Sequence, residues 1–386
     1  MNTETYYRMI KDKDFQNLKK LRYKYPADFD DFLVALKLLE LKELPLKDFD
    51  DKNMVFCPNL CYVPSSVYKT FFSPAGKIFE SGAFENEIVS TAKIESIDFS
   101  RDSVRRILKG YAPKNEEESR IYGLKKGFDF ISDMANTINE ENIYRLYMTM
   151  IGDFLEEDDK LRAGAYYRHD SVFVVSSRIE HIGMDCKKIP SAMKSLVDFI
   201  NADDNINELF KAAIIHFYIA YIHPWFDGNG RMARMIHLWY LIRSGFSSAL
   251  FVPFSSLISK SVNNYYKAFT LVEENEKTSG FTDITPFVAY CCNEIYVKSK
   301  KEDSVTLLSE KFNEMLSCGK ITKKEETMWK FVISFYGNGE FSTKQLEKDF
   351  GDAAYATIRS FVIKFEENGL LKKTRYSNRV KYSVSD

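Results

Sequence analysis

Apolar residues recur every three to four positions over much of this chain, the period of a helix with one buried face. Phe32, Leu33, Leu36 and Leu39 mark such a face early, among short helices that Pro26 and Pro45 should break over residues 1 to about 50. A less regular stretch holding Pro58, Pro64 and Pro74 ends in Gly82. Helical spacing resumes at 84–97, at Ile121, Leu124, Phe128 and Ile131, from Ile143 to Phe154, and from Ser191 to Asn201. Two further runs, Ile206 to Tyr221 and one ending near Gly245, flank a short loop. Ser171 to Gly183 differs, because β-branched residues, a polar centre and a closing glycine predict a hairpin.

Beyond a charged linker, Lys298 to Asp303, the pattern predicts three more helices. They are Thr327–Tyr336, a run to Phe350 with Ser342 as N-cap, and Ala354–Asn368 stopped by Gly369, with Gly337-Asn338-Gly339 as a turn. Leu370 to Val384 then reads as a β-hairpin. Three helices followed by a hairpin resemble a winged helix. The expected division is 1–83, a core over 84–297, a linker over 298–320 and a terminal domain over 321–386.

Composition narrows the class. With 386 residues, 45% hydrophobic and 28% charged, the chain has the makeup of a globular protein with several domains. Its 54 Lys and Arg balance 55 Asp and Glu, so any surface for nucleic acid must be local. Neither a signal segment nor an apolar run near 18 residues is evident, so a cytoplasmic protein without membrane contact is expected. Cys57 and Cys61 form a lone pair with no second pair at zinc spacing, and His216 and His237 fall inside apolar helix faces.

The chemistry concentrates in His223-Pro224-Trp225-Phe226-Asp227-Gly228-Asn229-Gly230-Arg231-Met232-Ala233-Arg234. Pro224 disfavours helix at His223, so the imidazole should stand at the loop's start. Gly228 and Gly230 allow a tight turn and close approach of a ligand. The loop then opens a helix N-terminus, where unpaired N–H groups suit phosphate oxygens. Arg231 and Arg234 are three apart and share a helix face, able to hold successive phosphates. Asp227 supplies one hard oxygen for magnesium, and His223 titrates near neutrality. Gly-x-Gly alone marks only a turn, and the spacing of a Walker A loop is absent.

Those twelve residues resemble the Fic motif, His-Pro-Phe-x-(Asp/Glu)-Gly-Asn-(Gly/Lys)-Arg-x-x-Arg, with Trp225 in place of the usual phenylalanine. The resemblance implies a mainly α fold, a Fic-type helical core with a β-hairpin flap. It implies transfer of AMP from ATP to a Ser, Thr or Tyr hydroxyl of a target protein. His223 would deprotonate the hydroxyl, and Asp227 would hold Mg2+ on the α- and β-phosphates. Gly228, Asn229 and Gly230 would form an anion hole, Arg231 would neutralise pyrophosphate, and Arg234 would clamp the γ-phosphate.

Other segments extend the likeness. Thr91-Ala-Lys-Ile-Glu95 resembles the family's inhibitory helix, (Ser/Thr)-x-x-x-Glu-(Gly/Asn), with Ser96 departing at the last position. Glu95 would then pair with Arg234 and displace the γ-phosphate. The hairpin at 171–183 resembles the flap that holds a target peptide, and Tyr265 and Tyr266 resemble a pair lining the adenine pocket. Homodimers occur in the family. Lys372, Lys373, Arg375, Arg379 and Lys381 would let the terminal domain meet nucleic acid. Two alternatives stand beside AMP transfer: another nucleoside monophosphate, or a nucleotide-sensing DNA-binding regulator.

Overall fold

The computed structural model describes residues 1–72, 80–176, 179–246, 249, 252–299, 311–312, 314–336, 340–351, 353–376 and 379–385. Helices α1 (Thr3–Ile10), α2 (Leu18–Lys24) and α3 (Phe29–Leu39) close a small core around Met9, Leu21, Phe29, Phe32 and Leu36. Asn2 and Asn17 cap the first two by accepting from Thr5 N and Lys20 N.

The chain does not continue as helix to residue 50. Lys42–Lys47 forms β1, paired antiparallel with β2 (Asn53–Phe56). Leu44 and Leu46 point inward while Glu43, Pro45 and Lys47 point out, a period of two. Pro45 is tolerated because it faces solvent in a two-stranded sheet. Leu44, Leu46, Met54 and Phe56 join the same apolar core as the motif helices, so the core does not divide at residue 83.

That core is helical: α4 (Ser65–Phe72), α5 (Glu80–Ile94), α6 (Arg101–Leu108), α7 (Glu116–Ser132) and α8 (Glu140–Met150) precede a hairpin. The hairpin is β3 (Phe173–Ser176) against β4 (Ile179–Ile182), as the β-branched run predicts. After it come α9 (Ile189–Asn201), α10 (Glu208–Ile222), α11 (Asn229–Arg243), α12 (Phe254–Lys260), α13 (Val262–Ser279) and α14 (Thr285–Tyr290), which runs on as a π-helical stretch to Tyr296. Helices α10 and α11 pack along each other at the centre and are buried nearly all round, as helices with apolar residues on every face must be.

His216 and His237 are wholly buried on these helices, His216 Nε2 beside the Tyr265 hydroxyl at 3.0 Å and His237 Nε2 beside that of Tyr296 at 3.1 Å. Burial lowers both pKa values, that of His237 to about 3, so both are neutral core residues.

The terminal unit holds α15 (Lys323–Tyr336), α16 (Thr343–Phe350), α17 (Tyr355–Glu367), β5 (Leu371–Tyr376) and β6 (Arg379–Val384) around Trp329, Phe361 and Phe365. Ser342 caps α16 by accepting from Gln345 N at 3.2 Å. Phe312 and Met315, placed by the sequence in a linker, belong to this core. The predicted turn at 337–339 lies outside the described residues. Helix α15 packs against α5. Among the described residues no helix is long and apolar enough to cross a membrane.

Candidate active site

Helix α10 ends at Ile222, and His223 takes a left-handed backbone at φ 56. Its Nδ1 lies 3.3 Å from the Ala220 carbonyl. With a proton on Nδ1 donated there, Nε2 is the basic nitrogen. Trp225 is fully buried beneath the loop, stacked on Tyr147 at 4.7 Å, and its indole donates to Tyr166 O at 3.0 Å. A phenylalanine would fill the space but could not make that hydrogen bond.

Asn229 closes the loop on itself. Its Oδ1 accepts from Trp225 N at 2.9 Å and its Nδ2 donates to Trp225 O at 2.8 Å. The side chain is therefore a staple, and the main-chain N–H is what α11 offers to an anion at this position. Gly228 caps α11 at φ 80, where a Cβ would fall 2.0 Å from Ile151 Cδ1. Conformation and space both require glycine here.

Arg231 and Arg234 are 7% and 2% exposed on one face of α11. Glu95 reaches them from the end of α5, with Oε1 2.7 Å from Arg234 Nη2 and Oε2 2.6 Å from Arg231 Nε. The pair expected from sequence, Glu95 with Arg234, is present, and Arg231 joins it. Arg234 also donates to Thr91 Oγ1 at 2.8 Å and to Thr91 O at 3.1 Å, so both residues of the α5 motif meet it. Burial works against the charge on Arg231, yet Glu95 and Asp227 outweigh it and hold its pKa above the ordinary value. A Cβ on Gly230 would lie 2.8 Å from Glu95 Oε1, so the seated carboxylate occupies the space at the start of α11.

Ser96 adopts φ 60 just past α5, and Ile97 N donates back to Ala92 O at 3.0 Å. The departure from Gly or Asn therefore leaves the turn intact, at the steric cost of a side chain in that region. Further back, Glu87 is 2% exposed and accepts from Ser255 N at 2.8 Å and Ser255 Oγ at 2.5 Å, fastening α5 to α12. Burial raises its pKa to about 7, although the two hydrogen bonds favour the charged form.

A cavity of about 360 Å³ opens over the loop, walled by His223, Asp227–Arg231, Arg234 and Glu95 at one end. Ala220 of α10, Phe226 of the loop and Ile97 after α5 line it too, and Tyr266, Phe269 and Glu273 line it from α13. Tyr265 borders it from the core, 4% exposed, whereas Tyr266 is 39% exposed. Sequence reasoning brought together every motif residue found here but assigned nothing to Ile97, Phe226 or Glu273. For Glu273 a signal existed, since it lies seven positions from Tyr266, on the same helical face. Asp227 carries a half-exposed carboxylate, 2.7 Å from Arg231 Nη2. One hard oxygen beside a cavity with room for more than a phosphate group fits magnesium, which takes most of its six ligands from phosphate and water.

The flap exposes Phe173 and Ile182, which pair across the two strands. On the terminal hairpin Lys372, Lys373, Arg375 and Arg379 are exposed, while Lys381 pairs with Glu340 at 3.4 Å.

Residues 137–241 match a family model described as Fic/DOC family. The chain is 24% identical over 180 residues to a protein named protein adenylyltransferase Fic of Nematostella vectensis, covering 45% of this chain and 37% of that protein. It is 28% identical over 234 residues to protein adenylyltransferase fic-1 of Caenorhabditis elegans, covering 52% of this chain and 44% of that one. It thus spans about two fifths of the length of these curated relatives. A solved Fic family protein of Desulfovibrio desulfuricans G20 superposes with a TM-score of 0.50 at 17% identity, over 84% of this chain and 97% of that one.

Proposed function

We propose that this chain, which carries a Fic/DOC-family domain, transfers AMP from ATP to a hydroxyl of a target protein and is held back by its own Glu95. The observation that carries the reading is the meeting of His223, the N-terminus of α11, Arg231, Arg234 and Glu95 in one cavity. A base, an anion site and two buried cations at that spacing suit in-line attack at an α-phosphorus, with pyrophosphate leaving toward the arginines. In that reaction the hydroxyl oxygen forms the new P–O bond, His223 takes its proton, and the bond to the β-phosphate oxygen breaks. Asp227 would hold a magnesium ion that offsets the charge of the phosphates.

Glu95 blocks the reaction by supplying the negative charge that Arg231 and Arg234 would otherwise take from phosphate. Charge-assisted hydrogen bonds to arginine are each worth roughly 1.5–3 kcal/mol. That corresponds to about ten- to hundredfold in rate if nucleotide must displace one of them. The target strand would lie along the flap, read through main-chain hydrogen bonds and the exposed Phe173 and Ile182.

The test is incubation with α-labelled ATP and magnesium, alone and with cell lysate, for wild type, Glu95→Gly and Glu95→Gly/His223→Ala. Label in Glu95→Gly that vanishes in the double variant supports the reading. Label surviving removal of His223, or none in Glu95→Gly even with lysate, sinks it. Parallel reactions with α-labelled GTP and UTP decide the nucleotide.

A further inference from the structure

We propose that Arg168 is a positioning residue for the base, a single guanidinium that ties the His223 end of α10 to both feet of the flap. The inference rests on the reading of His223 as the base. Arg168 lies between α8 and β3 and is 2% exposed. Its Nε donates to His223 O at 2.7 Å and its Nη1 to Asp170 O at 2.5 Å. Its Nη2 donates to Met184 O and reaches Ile222 O at 3.5 Å. Asp170 and Met184 stand just before and just after the hairpin, whereas Ile222 ends α10 and His223 caps it.

The main chain runs the same way. Arg168 N donates to Pro224 O at 3.0 Å, Met184 N to Ile222 O at 3.1 Å, and Gly183 N to Val172 O at 3.1 Å. The packing leaves no room for a side chain at Gly183, where a Cβ would sit 2.7 Å from Arg168 Nη2 and 3.1 Å from His223 Cβ.

Physical chemistry gives this arrangement its purpose. The last carbonyls of a helix lack intrahelical partners and carry the negative end of its dipole. A planar fork of five donors satisfies several of them at once, which a single ammonium point charge does less well. A left-handed backbone costs an L-residue about 1–2 kcal/mol and persists only where its surroundings over-determine it. The guanidinium, together with the Met184 and Arg168 amides, supplies that determination at His223. It also fixes the height of the flap relative to the imidazole, so the strand presenting the hydroxyl and the base that receives its proton share one anchor. Arg231 and Arg234 sit beyond the loop on α11, so ATP binding does not pass through Arg168.

The experiment uses the full chain carrying Arg168→Gln or Arg168→Lys. In the Glu95→Gly background, labelling with α-labelled ATP should slow about ten- to hundredfold in kcat for Arg168→Gln, the cost of a misplaced reacting group. KM for ATP should stay within about twofold, and Arg168→Lys should recover part of the rate. Hydrogen exchange should quicken at 168–184 and at 222 and 223 while the amides of α11 stay protected. Exchange rising across α10, α11 and the core together, or ATP affinity falling as far as the rate, would make Arg168 a general structural residue and overturn the proposal. Unchanged exchange at Gly183 and Met184 would overturn it too. Should Glu95→Gly itself fail to label, the transferase reading falls, and the exchange measurement still decides whether Arg168 holds His223 to the flap.

Discussion

The loop between α10 and α11 and the turn after α5 both place a residue in the left-handed region, Gly228 at φ 80 and Ser96 at φ 60. They are held by different forces. Around Gly228 the loop is fixed by contacts indifferent to charge: the Asn229 staple, the stacked Trp225 and the close wall of Ile151. The end of α5 is held at Arg234 by Thr91 and the Glu95 carboxylate and at Arg231 by that carboxylate, and its turn is made by a residue poorly suited to the conformation. A site that binds an anion benefits from that contrast. Its frame should not respond to the ligand, while its occupant should be removable by a competing charge.

The widest gap between the two regions should appear with His223→Ala in the Glu95→Gly background. Loss of a general base lowers transfer about 10²- to 10⁴-fold, read as label incorporated per minute, with ATP affinity unchanged. Glu95→Gly alone should raise labelling about ten- to hundredfold. It should also lower stability by about 3 kcal/mol in denaturant titration, because two buried guanidiniums lose a counter-charge. Saturating ATP should restore much of that loss. If ATP gives no more stabilisation than in wild type, the carboxylate and the phosphates do not compete.

Gly228→Ala tests the loop. A methyl 2.0 Å from Ile151 Cδ1 in a conformation alanine resists should cost about 2–3 kcal/mol, seen as a lower Tm. Trimming the wall with Ile151→Ala should relieve the clash but not the backbone strain. A full return to wild-type stability would show that space alone demands the glycine.

Glu87 connects α5 to pH. Its carboxyl titrates near 7 in the folded protein, against 4.5 for an ordinary glutamate. Between those values the folded state keeps a proton that the unfolded chain has lost, so stability falls as pH rises through this window and stays lower above it. The expected drop is on the order of 3 kcal/mol. Glu87→Gln should flatten it, because an amide can accept from Ser255 N and donate to Ser255 Oγ. Its Tm should therefore exceed that of wild type at pH 8 and match it at pH 4.5. Equal pH profiles would place the titration elsewhere. The smallest effect is expected from Ser96→Gly, which should relieve about 1 kcal/mol of strain and lower residual labelling a few-fold.

Legibility followed how much each position constrains its own residue type. His223, Gly228, Asn229, Arg231 and Arg234 were readable because their order and spacing match the Fic motif, whereas the bonding of the Asn229 side chain to Trp225 was not, since the sequence reading placed Asn229 in an anion hole. Glu95 was readable by its spacing from Thr91. Its second partner was not, although the three-residue separation of Arg231 and Arg234 already puts both guanidiniums on one face. The sheet at 42–56 escaped because Lys-Glu-Leu-Pro-Leu-Lys offers only two apolar positions in alternation and a proline that suggests a break. What makes it a strand is the pairing with 53–56, and β2 is itself bridged to Asp283, far along the chain. Side-chain patterns within a segment foretell its period, but a partner far along the chain leaves no mark there.

The carboxylate of Glu95 lies 139 residues ahead of the Arg234 it meets. A chain made from its N-terminus therefore holds the anion before either guanidinium has been synthesised. When α11 folds inward, both cations enter the protein with their counter-charge at hand. The nascent core never has to bury them bare, and a partly made chain long enough to contain the motif already contains Glu95.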